Sequence, residues 1–179
     1  MDDVSAVAAK YAITEMLYRY CRGLDRMDHR LSCSVWHPDG TAFYSGLYEG
    51  SGAGFVDWVF ELHRGMAGHS HQVTNVLIEL GPDGCHAASE AYVTVRLRTA
   101  NPGGEPVDIV GSGRYLDRWS YRDGRWAIEH RQYVSDLTTT VQVPAPGGQG
   151  RITPAGAVRR ADARRDRDDP SYSYLHDAD

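Results

Sequence analysis

Lysine is almost missing from this chain: Lys10 is the only one, and 18 arginines carry the rest of the positive charge. With a formal net charge of −5, the surplus of cations that phosphate contacts require is absent, which excludes a dedicated nucleic-acid binder. Cysteine is scarce too. Cys21, Cys33 and Cys85 are odd in number and scattered, so they make no disulfide framework and point to a reducing, cytoplasmic setting. No apolar run approaches the ~20 residues that span a bilayer, so no membrane partner is expected. The acidic opening MDDVSAVAAKYAITEM lacks the basic-then-apolar order of a leader peptide. Two catalytic signatures are absent as well. There is no G-x-S-x-G nucleophile elbow, and Gly50-Ser-Gly-Ala-Gly54 lacks the lysine of a phosphate loop.

What is present sets a frame for one core. At 179 residues and 41% hydrophobic, the chain has the length of a single domain plus a tail. Such a length buries roughly 70% of its unfolded surface, enough for a core without metal or disulfide staples. Three Phe, four Trp and eleven Tyr give that core bulk and exclude disorder throughout.

Residues 4–29 read as a helix. Tyr11, Leu17, Tyr20, Cys21, Leu24 and Asp28 recur at three, four or seven residues and share a face. Gly23 costs about 1 kcal/mol there relative to Ala, so the helix is expected to weaken near Asp25. A short helix over 30–36 runs into the turn signal His37-Pro-Asp-Gly40, and 41–48 reads as a strand. Ser51-Gly-Ala-Gly54 opens a third helix with the stripe Phe55, Trp58, Val59, Leu62 and Met66, ended by Gly68. From His69 the period becomes that of strands, over 71–80, 87–99, 107–121 and 125–134. Turn signals separate them, the last being the hairpin Arg122-Asp-Gly124. The class is therefore α+β, helices first and then a strongly curved, mostly antiparallel sheet. Residues 1–142 form the folded domain, and 143–179 a linker and tail. The linker is Pro144-Ala-Pro-Gly-Gly-Gln-Gly150, and over 151–179 six arginines balance six aspartates. That balance suits a surface-draped tail, or one whose Pro170-Ser-Tyr-Ser-Tyr-Leu175 folds back on the body or a neighbouring subunit.

The densest polar cluster at strand positions is His69-Ser70-His71. Alternation puts His69, His71, Val73 and Asn75 on one face. Two histidines at i and i+2 can grip a metal ion, but the cupin-type pattern needs an acid four or five residues on. Here the next one, Glu79, comes eight residues after His71. A core histidine satisfied by hydrogen bonds is the other alternative. Near the end of the first helix, Asp25 and Asp28 lie where the helix dipole mildly disfavours an acid, so an aspartate there is expected to have a partner. A carboxylate on one imidazole nitrogen fixes the tautomer and leaves the other nitrogen to take a proton. Asp25 and His71 thus read as a base dyad, against the alternative that Asp25 pairs with Arg22 or Arg26. In the last strand Trp126, Ile128 and His130 share one face and Arg131 and Tyr133 the other, unless a bulge intervenes. His130 is the reserve histidine, and Glu129 or Glu90 would partner Arg131 in a purely structural role.

The order Tyr20-Cys-Arg-Gly-Leu-Asp25, Trp36-His-Pro-Asp-Gly40, an amphipathic helix, His71-Gln-Val-Thr-Asn75 and Asp123-Gly-Arg-Trp126 resembles one known family. It is the SnoaL-like branch of the nuclear transport factor 2-like superfamily, over roughly residues 5–140. The resemblance implies a cone-shaped α+β barrel, a curved sheet packed on N-terminal helices around a deep pocket, in a homodimer or homotrimer. The lyases of that branch share an aspartate near the end of the first helix and a histidine on the strand after the third, positions that Asp25 and His71 match. Tyr20 is similar to a dehydratase tyrosine that hydrogen-bonds the substrate oxygen, Tyr44 to a second-strand tyrosine, and Arg131 to a dehydrochlorinase arginine. Two departures stand out: the dehydrochlorinase has a lysine where this chain has Tyr20, and the dehydratase arginine falls at Ser135.

By that resemblance His71 is the base and Asp25 its orienting carboxylate. Tyr20 or Tyr44 donates to a carbonyl or departing hydroxyl, and Arg131 supplies positive charge. His69, Asn75 and Tyr133 complete the substrate site. The expected function is a lyase without cofactor or metal, a dehydratase of a small hydrophobic ring-containing hydroxy-carbonyl compound. A ring isomerase or polyketide-type cyclase with the same dyad, and a non-catalytic binding or assembly protein, are the alternatives.

Overall fold

Asp2 starts the first helix by accepting the Ser5 amide at 2.8 Å, the usual chemistry of an N-cap. In the computed structural model, which describes residues 2–143 and 163–175, this helix, α1, spans Asp3–Asp25. Its buried face is Ala9, Ile13, Leu17, Tyr20, Cys21, Gly23 and Leu24. Tyr11, expected on that face, is 68% exposed; it lies two residues from Ile13, about 200° around the helix. The helix stops at Asp25 rather than near residue 29, and Met27 follows with φ 51°.

α2 (His29–Ser34) is capped by Asp28, which accepts the Leu31 amide at 3.0 Å. It crosses α1 at Gly23. A β-carbon there would sit 2.5 Å from Ser32 Oγ and 2.8 Å from the Ser32 nitrogen. The glycine that costs helix propensity is what lets the two helices touch.

β1 (Trp36–Tyr44) and β2 (Tyr48–Ser51) pair antiparallel. The turn signal at His37–Gly40 does not end a helix here but lies inside β1. The parallel pairing of β1 with the last strand jumps from Trp36↔Ile128 to Thr41↔His130, so those residues form an irregular bulge. α3 (Gly52–Arg64) starts at Ser51, whose hydroxyl accepts the Gly54 amide at 3.1 Å. It buries Phe55, Val56, Val59, Phe60 and His63, whereas Leu62 is 47% exposed. Its C-cap is Gly65, not Gly68, which already opens the next strand.

Four long strands follow: β3 (Gly68–Leu80), β4 (His86–Ala100), β5 (Pro106–Arg122) and β6 (Arg125–Gln142). Asp123 and Gly124 turn β5 into β6 with φ 52° and 78°, the mirror-image turn that suits twisted hairpins. The sheet order is β2-β1-β6-β5-β4-β3, and only β1–β6 is parallel. The fold is α+β, with helices packed on a curved, mostly antiparallel sheet. The sheet stays open, with β2 and β3 as edges, so the barrel implied by the resemblance is an unclosed one. Between helices and sheet lie Ile13, Leu17, Tyr20 and Leu24 of α1, Val56 of α3, and Val93, Trp119 and Ile128 of the sheet, all nearly inaccessible.

Among the described residues, no helix is long and apolar enough to cross a membrane. The expected linker at 144–150 lies outside the described residues. Residues 163–175, including α4 (Ser171–Tyr174), lie against α1 and α2: Arg22 donates to Ser171 Oγ at 2.9 Å and Tyr172 to Asp28 at 2.8 Å.

Gly-to-Ala changes in helix interiors ordinarily stabilise by about 1 kcal/mol. At Gly23 the sign reverses, because Ser32 backbone must move to admit the methyl group: Gly23→Ala should destabilise by about 1–3 kcal/mol. Denaturant unfolding of the variant beside the parent chain reads that sign.

Candidate active site

Asp25 is the last residue of α1, and His71 is the fourth of β3, the edge strand against which α1 packs. Their side chains meet. His71 Nδ1 lies 2.8 Å from Asp25 Oδ1, and the His71 backbone N–H donates to Asp25 Oδ2 at 3.1 Å. A carboxylate only accepts, so Nδ1 carries the proton and Nε2 keeps its lone pair. Among the described residues Nε2 has no hydrogen-bond partner. The His71 side chain is 6% exposed and that of Asp25 15%, which leaves the pair sheltered but reachable. The neighbouring arginines are engaged elsewhere, Arg22 with Ser171 and Arg26 with Asp169 at 3.2 Å.

Two further imidazoles stand beside the dyad. His63, from α3, stacks on His69 with centroids 4.1 Å apart and lies 5.6 Å from His71. His69 Nε2–H donates to the Leu24 carbonyl at 2.9 Å, which leaves Nδ1 to accept from Arg165 at 3.4 Å. His69, expected to meet substrate, therefore ties β3 to the last turn of α1. Burial, then the neighbouring His69, His71 and Arg165, pushes the His63 pKa down to about 3. Burial lowers His69 as well, against the opposing pull of the Leu24 carbonyl. Both rings are neutral at pH 7.

Deeper in the sheet, Tyr20 of α1 and Tyr44 of β1 share a hydrogen bond at 3.3 Å. Burial raises the Tyr44 phenol to about 12 and Tyr20 well above its ordinary value, so both remain protonated. Tyr133 stacks on Tyr44 at 5.3 Å, and Tyr115 meets Tyr20 edge-on at 6.0 Å. Gly113 makes room for this: a β-carbon there would lie 2.7 Å from the Tyr133 ring.

Arg131 is fully buried in the same cluster. Its Nε and Nη2 donate to the two Asp117 oxygens, each at 2.7 Å. Its guanidinium carbon sits 3.9 Å from the Tyr115 centroid and 4.5 Å from that of Tyr20. Burial disfavours its charge, but Asp117 outweighs the penalty and raises its pKa. The charge expected to face substrate is thus already matched by Asp117, and Glu129 and Glu90 are instead bonded to Arg122 and Arg114.

Strand alternation alone misplaces two residues. In β6 the pairing steps from Arg118↔His130 to Trp119↔Ile128, so Glu129 is an extra residue. Ile128 and Arg131 therefore both face inward, while His130 faces out and bonds Thr41 at 2.8 Å. The reserve histidine is outside the cluster. In β3 a second bulge falls between Thr74↔Tyr92 and Leu77↔Glu90. Asn75 adopts φ 50° there and is exposed, so it does not join the residues it was grouped with.

The cluster also holds residues that sequence reading passed over. His63 sat in plain view, four residues after Val59 and seven after Val56 on the buried face of α3. Asp117 lies between Tyr115 and Trp119 on the inner face of β5, a parity signal for a buried acid. Among the described residues, no group of three His, Cys, Asp or Glu side chains is arranged to hold a metal ion.

N-terminal helices packed on an open, curved, mostly antiparallel sheet are the α+β architecture of the nuclear transport factor 2-like class. Within it, this chain belongs to the SnoaL-like domain family, whose model matches residues 5–132. No curated protein matches it. Solved structures do. A candidate scytalone dehydratase from Novosphingobium aromaticivorans shares 21% identity at a TM-score of 0.68, over 83% of this chain and 99% of that one. A hexachlorocyclohexane dehydrochlorinase of LinA type 3 from Novosphingobium barchaimii shares 17% at 0.68, over 86% and 100%. At these identities the likeness establishes the shared fold.

The His63 pKa of about 3 lies below its ordinary 6.5, so its share of stability is complete above about pH 6.5 and is lost as pH falls toward 3. His63→Leu, which cannot titrate, should flatten the stability curve in that window; denaturant midpoints at stepped pH measure it. Asp117→Asn leaves the buried Arg131 charge without its counter-ion and should cost about 3–5 kcal/mol in the same assay.

Proposed function

We propose that this chain is a cofactor-independent lyase with His71 as general base. Its favoured reaction is dehydration of a small, hydrophobic, ring-containing hydroxy-carbonyl compound. The observation that carries the reading is the Asp25–His71 contact, with both carboxylate oxygens on one residue and the Nε2 lone pair unclaimed. Membership of the SnoaL-like family and likeness to structures named for a dehydratase and dehydrochlorinases support it.

In the elimination, Nε2 takes the proton from the carbon next to the carbonyl, and Asp25 stabilises the imidazolium that forms. The electron pair of that C–H bond becomes the new double bond as the C–O bond breaks. The proton then passes from His71 to the departing hydroxyl, which leaves as water and restores the base. The hydroxyl pair of Tyr20 and Tyr44 is the donor for developing negative charge on the carbonyl oxygen. Burial raises both phenols and Arg131 only opposes that rise, so its part here is to pack the Tyr20 ring in place. Asp117 holds the guanidinium.

Mass spectrometry of products from a panel of cyclic β-hydroxy ketones tests this. The parent chain should yield products lighter by one water. His71→Ala and Asp25→Asn should each reduce turnover by about 10²–10⁴-fold with circular dichroism unchanged. Products of unchanged mass would move the protein to the isomerases or cyclases, and turnover surviving both substitutions would remove the dyad from the mechanism.

A further inference from the structure

Residues 163–175 touch both elements that supply the dyad. On the side of α1, Arg26 pairs with Asp169 at 3.2 Å and Arg22 donates to Ser171 at 2.9 Å. Asp28 accepts from Tyr172 at 2.8 Å and from Arg167 at 3.3 Å, and the Arg22 guanidinium lies 4.6 Å from the Tyr172 centroid. On the other side, Arg165 Nη1 donates to the His63 carbonyl at 2.9 Å and reaches His69 Nδ1 at 3.4 Å. The segment is shaped from within. Asp169 is 5% exposed and accepts the backbone amides of Arg164 and Ser171 at 2.9 and 3.0 Å.

The dyad needs outside support of this kind. Asp25 sits on the last turn of a helix and His71 near the start of an edge strand, and element ends are where local opening costs least. A hydrogen bond of 2.8 Å between two such ends holds only if their separation is fixed, and a displacement of about 1 Å can cost about 10²-fold in rate. The contacts of the segment fall at the right places. Arg26 adjoins Asp25 in sequence, and His69 precedes His71 by two residues on the same strand face. The His69 ring closes the circuit: with Arg165 on Nδ1, Nε2–H is the donor to Leu24, the residue before Asp25.

We propose that residues 163–175 are a clamp that fastens the Asp25 end of α1 to the His71 end of β3, with Arg165 and Asp169 as positioning residues for the dyad. This rests on the reading of Asp25 and His71 as the working pair.

The His71 amide reports the contact directly, because its hydrogen bond goes to Asp25 Oδ2. Amide hydrogen exchange of the full chain, followed residue by residue by NMR, therefore tests the clamp. In Arg165→Gln/Asp169→Asn, His71 and the last-turn amides of α1 should exchange at least about tenfold faster, with Val93 and Ile128 unchanged. Arg165→Lys alone should recover part of the protection. An unchanged His71 amide in the double variant overturns the clamp, and equal acceleration at Val93 and Ile128 shows general destabilisation and overturns it too. Asp25→Ala separates the two readings. If it fails to speed His71 exchange, the dyad contact itself is wrong; if it does so while the double variant does not, only the clamp falls.

Discussion

Both oxygens of one carboxylate go to one residue. That arrangement, Asp25 against the ring and the backbone amide of His71, joins the first helix to the edge of the sheet and decides which imidazole nitrogen is left open. Three sets of contacts bear on these two element ends. Gly23 brings α2 against α1 just before the helix ends, His69 anchors β3 to the Leu24 carbonyl, and the 163–175 segment presses on both.

The interior behind this junction is polar in content and neutral in effect. Burial keeps His63 and His69 uncharged and Tyr20 and Tyr44 protonated. Among the described residues the one buried Lys or Arg is Arg131, which is paired with Asp117 and covered by aromatic faces. Such a pair contributes little net stability, since desolvation offsets most of the attraction, but removing either half is costly. Its consequence is orientation. A forked guanidinium held at two oxygens packs the rings of Tyr20 and Tyr115 in one geometry, and the Tyr20 ring carries the hydroxyl that meets Tyr44.

Much of this was legible in the residues. The α+β class, the starts of the four long strands and the Asp-Gly hairpin follow from local periodicity and turn chemistry, because those signals act over a few residues; β6 runs on to Gln142, past its expected end at Val134, and the pairing of Asp25 with His71 was pointed to by the family resemblance. Two of the departures share one cause. Strict alternation places Asn75 with His71 and His130 with Ile128, and in each case a single extra residue in the strand shifts the parity beyond it. Bulges are set by how a curved sheet must fit its neighbours. The turn signal at His37–Gly40 failed for a related reason: β1 absorbs it as an irregularity while pairing with β6.

The sequence by itself determined the order of three helices and four long strands and the aromatic supply of the core, because helix period and strand alternation are local physics; it did not separate β1 (Trp36–Tyr44) from β2 (Tyr48–Ser51), which a single strand over 41–48 was expected to fill. Tertiary structure decided the rest. Asp117 rather than a glutamate neutralises Arg131, His63 joins the imidazoles from another helix, and Arg165 returns from almost a hundred residues downstream to meet His69. None of these pairings has a local energetic signature, since each depends on loops and bulges that bring distant side chains into contact only after the sheet has curved.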